Sequence, residues 1–255
     1  MNNIERRELI LQYLKSHGRT SVNDLAGHFS LTGATIRSDL RALELENKIV
    51  RCYGGAEARV LSVPATEQPM NEKTKINQEV KSKIAQAAVF LVDNGESLIL
   101  DNGSTTLQMV KYLKERTGLS IMTNSLAIMN KIAALDCDFN LLVPGGVFRK
   151  HSASFHGQQA EQTFNSFTFD KLFIGADGFN IDTGTTTFNE SFQVSQAMAK
   201  AARQIIVVTD SEKFKRKTPN VVIDIKQIDV IITDTGISNE DKNALQAKNI
   251  KVITV

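Results

Sequence analysis

Between residues 97 and 253 the chain keeps repeating one rhythm: a short apolar run, a polar turn, then a helical pattern. The apolar runs fall at residues 97–100, 120–122, 139–143, 171–174, 205–208, 230–232 and 251–253. Most are separated by stretches with helical spacing, at 105–116, 125–135, 157–167, 189–203 and 239–248. Continuously apolar strands have both faces buried, and strands alternating with helices build a mostly parallel sheet covered on both sides. The expectation is therefore an α/β domain. A helix starting near Asn77, with Val80, Ile84, Ala87, Ala88 and Leu91 inward, leads into it.

The N-terminal part follows a different pattern. A first helix over residues 4–16 turns Ile10, Tyr13, Leu14 and His17 inward and ends at Gly18. Ser21 caps a second helix whose Val22, Leu25, Ala26 and Phe29 form one apolar face. After a break at Ser30-Leu31, Thr32 caps a third, with Ile36, Leu40 and Leu43 buried. Ala34, Arg37, Ser38 and Arg41 repeat at the same spacing on its other, cationic face. Two short helices tightly joined, the second basic outward, form a helix-turn-helix able to enter a major groove. Residues 48–58 then read as two extended runs around Gly54-Gly55, a wing whose Arg51 and Arg59 suit backbone phosphate. Without DNA, the same stretch is a small helical domain with surface arginines. The pattern predicts contact with double-stranded DNA through Ser21, Thr32, Ala34, Thr35, Arg37, Ser38, Arg41, Arg51 and Tyr53.

Residues 1–60 hold nine Lys and Arg against seven Asp and Glu, an excess that equals the formal net charge of +2 for the whole chain. Charge placement on the third helix therefore says more than the total. Pro64 and Pro69 lie in an aperiodic stretch. They divide the chain into a winged helix-turn-helix domain at 1–60, a linker at 61–76 and the α/β domain at 77–255. The two cysteines, Cys52 and Cys137, are far apart, which argues against a disulfide framework or a zinc site and fits the reducing cytoplasm. The charged start of the chain does not read as a signal peptide, and no apolar run approaches ~18 residues. The four histidines show no metal spacing. His151 and His156 flank a loop where they could contact a ligand, with solvated loop residues as the default expectation.

In open parallel sheets ligands sit beyond the carboxyl ends of the strands. The first such turn, 101–106, offers Asp101, Gly103 and the hydroxyls of Ser104, Thr105 and Thr106 at a helix N-terminus. It is either an anion cradle or an ordinary capped turn. Asn124 and Ser125, Gly145 and Gly146, and the 175–178 turn with Asp177 follow later strands. Their convergence favours a phosphorylated, polyhydroxylated ligand, with Asp177, Glu190 and Lys213 adding polar contacts. Dinucleotide-fold, Walker and nucleophile-elbow patterns are missing from the sequence, and no cofactor or metal is expected.

Ala26, Phe29, Leu31, Thr35-Ile36-Arg37, Asp39-Leu40 and Tyr53-Gly54-Gly55 resemble the N-terminal signature of the DeoR family of bacterial transcriptional regulators. That family often has a second Arg where this chain has Ser38. Asp101-x-Gly103-Ser104-Thr105-Thr106, Thr123-Asn124-Ser125, Gly145-Gly146, Gly175-x-Asp177-Gly178 and Asp210-Ser211-x-Lys213-Phe214 are similar to its effector domain. The resemblance implies a fold like that of ribose-5-phosphate isomerase and the sensing of a phosphorylated sugar. At residue 73 the family commonly has Arg; here it is Lys73. Longer strings, such as Leu107-Gln108-Met109-Val110 and Ser152-Ala153-Ser154-Phe155-His156-Gly157-Gln158, resemble members that control glucitol (sorbitol) operons. They imply a sugar-alcohol phosphate, glucitol 6-phosphate, as effector. The expectation is a non-enzymatic repressor, a dimer or tetramer on its operator, with no membrane partner. The first alternative is a repressor answering to a different phosphorylated sugar or polyol; the second is a sugar-phosphate isomerase with an accessory DNA-binding domain, using Asp177 or Glu190 as base.

Overall fold

The computed structural model describes residues 3–17, 19–45, 48–52, 54–58, 69–189, 192–216 and 218–255. The chain divides into two compact units, Met1–Ala65 and Thr66–Val255.

The first unit contains α1 (Asn3–His17), β1 (Thr20–Ser21), α2 (Val22–Phe29), α3 (Gly33–Leu45), β2 (Ile49–Cys52) and β3 (Gly55–Ala58). Ser21 caps α2, accepting from the Asp24 amide at 3.1 Å. Ser30, in the left-handed region at φ 53°, ends that helix. Thr32 Oγ1 accepts from the Thr35 amide at 3.2 Å and so starts α3. Ile10, Leu14, Val22, Leu25, Ile36, Leu40, Leu43 and Ile49 form one buried core, as the helical spacing requires. The wing is present: β2 and β3 pair antiparallel, and β3 also pairs with β1. A Cβ at Gly55 would lie 2.2 Å from the Thr20 carbonyl oxygen, so only glycine allows the wing to close on β1.

In the second unit, α4 (Met70–Lys73) and α5 (Gln78–Val89) precede β4 (Ser97–Leu100), α6 (Ser104–Leu113), β5 (Ser120–Met122), α7 (Leu126–Ala133) and β6 (Asn140–Leu142). A hairpin, β7 (Val147–Arg149) and β8 (Ser154–His156), leads to α8 (Gln158–Asn165) and β9 (Phe169–Ile174). After β10 (Gly178–Asn180) and β11 (Gly184–Thr187) come α9 (Gln193–Ala201), β12 (Ala202–Val208) and β13 (Asn220–Asp224). The chain closes with β14 (Val230–Thr233), α10 (Asn239–Ala247) and β15 (Lys251–Thr254). Helix α4 folds inside residues 61–76, the stretch read from sequence as linker.

All seven expected strands are present in one sheet, ordered β15-β14-β12-β9-β4-β5-β6, and every pairing in it is parallel. Alternate residues serve opposite faces. Ile205 and Val207 pack into one core with Phe164 and Met198, while Ile206 and Val208 pack into another with Ile84 and Leu107. This two-sided burial explains why the strands read as unbroken apolar runs. The small antiparallel sheet β10-β11-β13 and the hairpin β7-β8 were not anticipated. β8, β10 and β11 are short and hold Ser, Gly, Asn or Thr around at most one apolar residue, so they carry no apolar run; β13 does carry one, Val221-Val222-Ile223, which the sequence reading passed over.

Candidate functional site

In the first unit, Ala34, Arg37, Ser38 and Arg41 are all exposed on α3, opposite the buried Ile36, Leu40 and Leu43. Ser21, Thr32 and Thr35 take part in capping: Ser21 Oγ also donates to Asp24 at 2.6 Å, and Thr32 and Thr35 hydroxyls are 2.9 Å apart. Arg51 is half-buried on the wing, and its Nε is buried without a partner among the described residues. Tyr53, Arg59 and the side chain of His17 lie outside the described residues. Sequence reasoning named Asp39 within the family signature but missed its ion pairs: it is 1% exposed on α3 and bound by Arg6 at 2.6 and 3.0 Å and Arg7 at 3.1 Å. A carboxylate between apolar turns gives no sequence signal of its partners.

In the second unit a cavity opens at the carboxyl edge of the parallel sheet. The chain goes from β4 to β5 on one side, while β9 lies on the other, so β4 and β9 flank a topological switch point. Asp101, Asn102, Gly103, Ser104 and Thr105 follow β4; Gly175, Ala176 and Asp177 follow β9; Asn124 follows β5; Thr209 and Asp210 follow β12; all line the cavity. Lys213 lines it too, so most of the expected ligand set converges.

Four expected residues do not line it. Thr106 is fully buried, and its Oγ1 accepts from the Gly103 amide at 3.0 Å, fixing the start of α6. Ser125 is buried as the cap of α7. Gly145 and Gly146 have φ of 71° and 103°, and a Cβ at Gly146 would lie 2.5 Å from the His156 carbonyl oxygen; these glycines serve a tight turn against β8 and α8. Glu190 lies outside the described residues. Gly103 is extended (φ −129°, ψ 150°), so its turn needs no left-handed backbone. Close approach explains the glycine instead, because an added Cβ would meet Thr106 Oγ1 at 2.9 Å. His156, expected to be a solvated loop residue, is 7% exposed and lines the cavity, because β8 carries it inward.

The charges come from segments distant in sequence. Lys73 on α4 pairs with Asp177 at 2.6 Å, and Thr187 donates to the other oxygen of Asp177 at 2.7 Å. Burial opposes ionisation of Asp177, but Lys73 and these hydrogen bonds hold its carboxyl below the usual range. Lys81 on α5 is 4% exposed and donates to the Lys73 carbonyl at 2.7 Å. Burial pushes its ammonium down to about 8, with Lys213, Arg216 and Lys73 adding to the shift and Asp210 opposing it. Lys213 is likewise lowered, chiefly by burial. Asp101 is pushed up to about 6 by burial, against hydrogen bonds from the Asn102 amide and Ser195. Cavity-lining Asn102, Asn124, Thr209 and Asp210 each keep one buried oxygen without a partner among the described residues. Such a group costs about 1–3 kcal/mol. Three ammonium groups and unpaired oxygens beside a helix N-terminus suit a ligand with both an anionic group and hydroxyls.

Among the described residues no helix is long and apolar enough to cross a membrane, and no cluster of His, Cys, Asp and Glu has the form of a metal site.

Two family patterns match the chain: "DeoR-like helix-turn-helix domain" over residues 6–59 and "DeoR C terminal sensor domain" over residues 76–235. A putative aga operon transcriptional repressor of Escherichia coli O157:H7 is 38% identical over 252 residues, covering 98% of this chain and 93% of its own. The glycerol-3-phosphate regulon repressor of Escherichia coli K12 is 27% identical, covering 92% of each chain. Among solved structures, ribose 5-phosphate isomerase A from Methanocaldococcus jannaschii aligns at 19% identity and a TM-score of 0.40, over 54% of each chain.

Proposed function

The chain belongs to the DeoR family of transcriptional regulators, and from that premise we propose that it represses a sugar-alcohol utilisation operon and leaves its operator when a phosphorylated polyol fills the cavity. The observation that carries this reading is the gathering of Lys73, Lys81 and Lys213 around one polar cavity at the switch point of the sheet. Repression is supported by the names of the two relatives. The hexitol, glucitol 6-phosphate, is supported by the strings around Leu107 and Ser152. The aga relative is named for a different operon, so a sibling sugar phosphate is the competing effector. The protein acts in the cytoplasm as a dimer or tetramer, matching the symmetry of its operator. Residues 1–60 contact DNA and 77–255 sense the effector, with α4 extending the sensing part back into 61–76.

Asp101 favours a second reading. A buried carboxyl poised near 6 in a sugar-phosphate cavity has the basicity an aldose–ketose isomerase needs. Asp177, tied to Lys73, is the weaker base of the two.

A thermal-shift panel tests both readings, using glucitol 6-phosphate, other hexitol and hexose phosphates, glycerol 3-phosphate, ribose 5-phosphate and inorganic phosphate. An effector raises the midpoint through linkage and releases promoter DNA in a mobility-shift titration. Turnover of ribose 5-phosphate without any effect of the panel on DNA binding would replace the repressor reading with the isomerase.

A further inference from the structure

Two side-chain amides in the cavity wall have their orientation fixed by chemistry. Asn102 Nδ2 donates to the Ser152 carbonyl at 2.8 Å and to Ser154 Oγ at 3.2 Å. Asn124 Nδ2 donates to the Phe155 carbonyl at 3.1 Å. A carbonyl oxygen only accepts, so neither amide can be flipped without setting two oxygens against each other. Both Oδ1 atoms are therefore acceptors, and both are buried without a partner among the described residues.

A donor lies on the same wall. Ser154 Oγ donates to Ser152 Oγ at 2.9 Å. Having one proton, Ser154 must accept from its other neighbours, Asn102 Nδ2 and His156 Nε2, the latter at 2.8 Å. In this arrangement His156 Nε2 is the donor to Ser154. Ser152 accepts from Ser154, and no hydrogen bond among the described residues takes its own proton. Ser152 lines the cavity, as do Asn102, Asn124 and His156.

We propose that Asn102, Asn124 and Ser152 form the hydroxyl-reading end of the effector site, and that Asn102 sets which phosphorylated polyol is accepted. This rests on the effector reading above and goes beyond it in assigning specificity. Acceptor oxygens beside a free hydroxyl proton match a group that both donates and accepts, which is an alcohol. A ketone or aldehyde oxygen leaves the asparagine acceptors unpaired, and an ammonium offers Ser152 no acceptor.

Strand order sets the direction. Asp210 follows β12, Asp177 follows β9, Asn102 follows β4 and Asn124 follows β5, and these strands are consecutive in the sheet. The lysines sit with Asp177 and Asp210, so the anionic group belongs there. From β12 to β5 is three strand spacings, roughly 14 Å. An extended six-carbon polyol phosphate spans the distance between the two ends, whereas a three-carbon one bound beside Asp210 falls short of Asn124.

The test is calorimetric titration of the full chain with glucitol 6-phosphate, 1-deoxyglucitol 6-phosphate, glycerol 3-phosphate and inorganic phosphate. Wild type should prefer glucitol 6-phosphate over its deoxy analogue by about tenfold, the worth of one buried hydrogen bond. Asn102→Leu should abolish that preference while leaving inorganic phosphate affinity within about twofold. Ser152→Ala, which keeps the carbonyl that holds Asn102, is the milder variant and should reduce the preference in a chain with wild-type circular dichroism. Full discrimination in both variants would overturn the assignment, as would a parallel loss of inorganic phosphate in the folded Ser152→Ala variant. If no phosphorylated compound binds wild type, the effector reading itself falls, and this assignment with it.

Discussion

Nε of Arg6 on α1 lies 2.6 Å from Oδ2 of Asp39 on α3, and Asp39 is almost wholly buried. The second contact, from Arg6 Nη2 to Oδ1 at 3.0 Å, makes the pair bidentate, and Arg7 adds a third bond. Geometry of this kind fixes orientation as well as distance. It holds α3 against α1 so that Arg37 and Arg41 stay outward. Asp39→Asn should lower the unfolding midpoint of the DNA-binding unit by several degrees and weaken promoter binding, with effector affinity unchanged. Unaltered promoter affinity in calorimetry or mobility shift would show that the pair does not position α3.

Arg37 and Arg51 should fail differently. Arg37→Ala should weaken specific DNA by about 1–3 kcal/mol if it makes a bidentate base contact, with little change on random sequence. Arg51→Ala should weaken both and lower the salt slope by about 1. Affinity measured on promoter and random duplexes over a salt series separates the two; equal promoter affinity for wild type and Arg37→Ala removes α3 as the reading helix.

Gly103→Val places a side chain against Thr106 Oγ1, which is 2.9 Å from the position of an added Cβ. Thr106 holds the Gly103 amide, so the N-terminus of α6 should shift, and the cavity wall at Asn102 and Ser104 with it. The mutant should bind promoter DNA but resist release by effector, an allosteric loss of ~1–3 kcal/mol. Release at the wild-type effector concentration would mean that 101–106 is only a capped turn.

Lys81 gives effector binding a pH dependence. Its ammonium is charged below about 8 and neutral above. A phosphate ester is already dianionic at pH 7, so affinity should fall as pH rises through about 8, and Lys81→Met should remove that break. Stability moves in the other direction. The folded pKa lies below the ordinary 10.5, so the buried charge costs stability fully below about 8, and the cost fades between about 8 and 10.5. Lys81→Met should therefore stabilise the ligand-free chain at pH 7 by about 2–3 kcal/mol while weakening effector binding. Denaturant titrations at pH 7 and 10 check this; equal stability of the two proteins at pH 7 would show that the charge is not penalised.

The cavity was legible where a residue directly follows an apolar strand. Asp101, Gly103, Ser104, Thr105, Asn124 and Asp177 were found by that rule, since strand ends define the edge where ligands sit. The rule overreached at Gly145 and Gly146, because a turn glycine needed for positive φ looks the same in sequence as one beside a ligand. It could not reach Lys73 or Lys81. These precede the first strand, on α4 and α5, and Lys81 interrupts a helix read by its apolar positions. His156 was misjudged because three residues of alternating burial in β8 are too few to read as a strand.

The sequence by itself determined both architectures. Apolar spacing that matches a helix or a doubly buried strand admits few folds, and the cap residues Ser21 and Thr32 marked where α2 and α3 begin. Only the tertiary structure decided which charges meet. Lys73 and Asp177 are 104 residues apart, and Arg6 and Asp39 are 33 apart. An ion pair is set by where the folded chain places two side chains within about 4 Å, and local periodicity carries no trace of that distance. The same holds for the unpaired oxygens of Asn102 and Asn124. They are acceptors because β8 takes their amide protons, a pairing that exists only once the hairpin has packed beside the sheet.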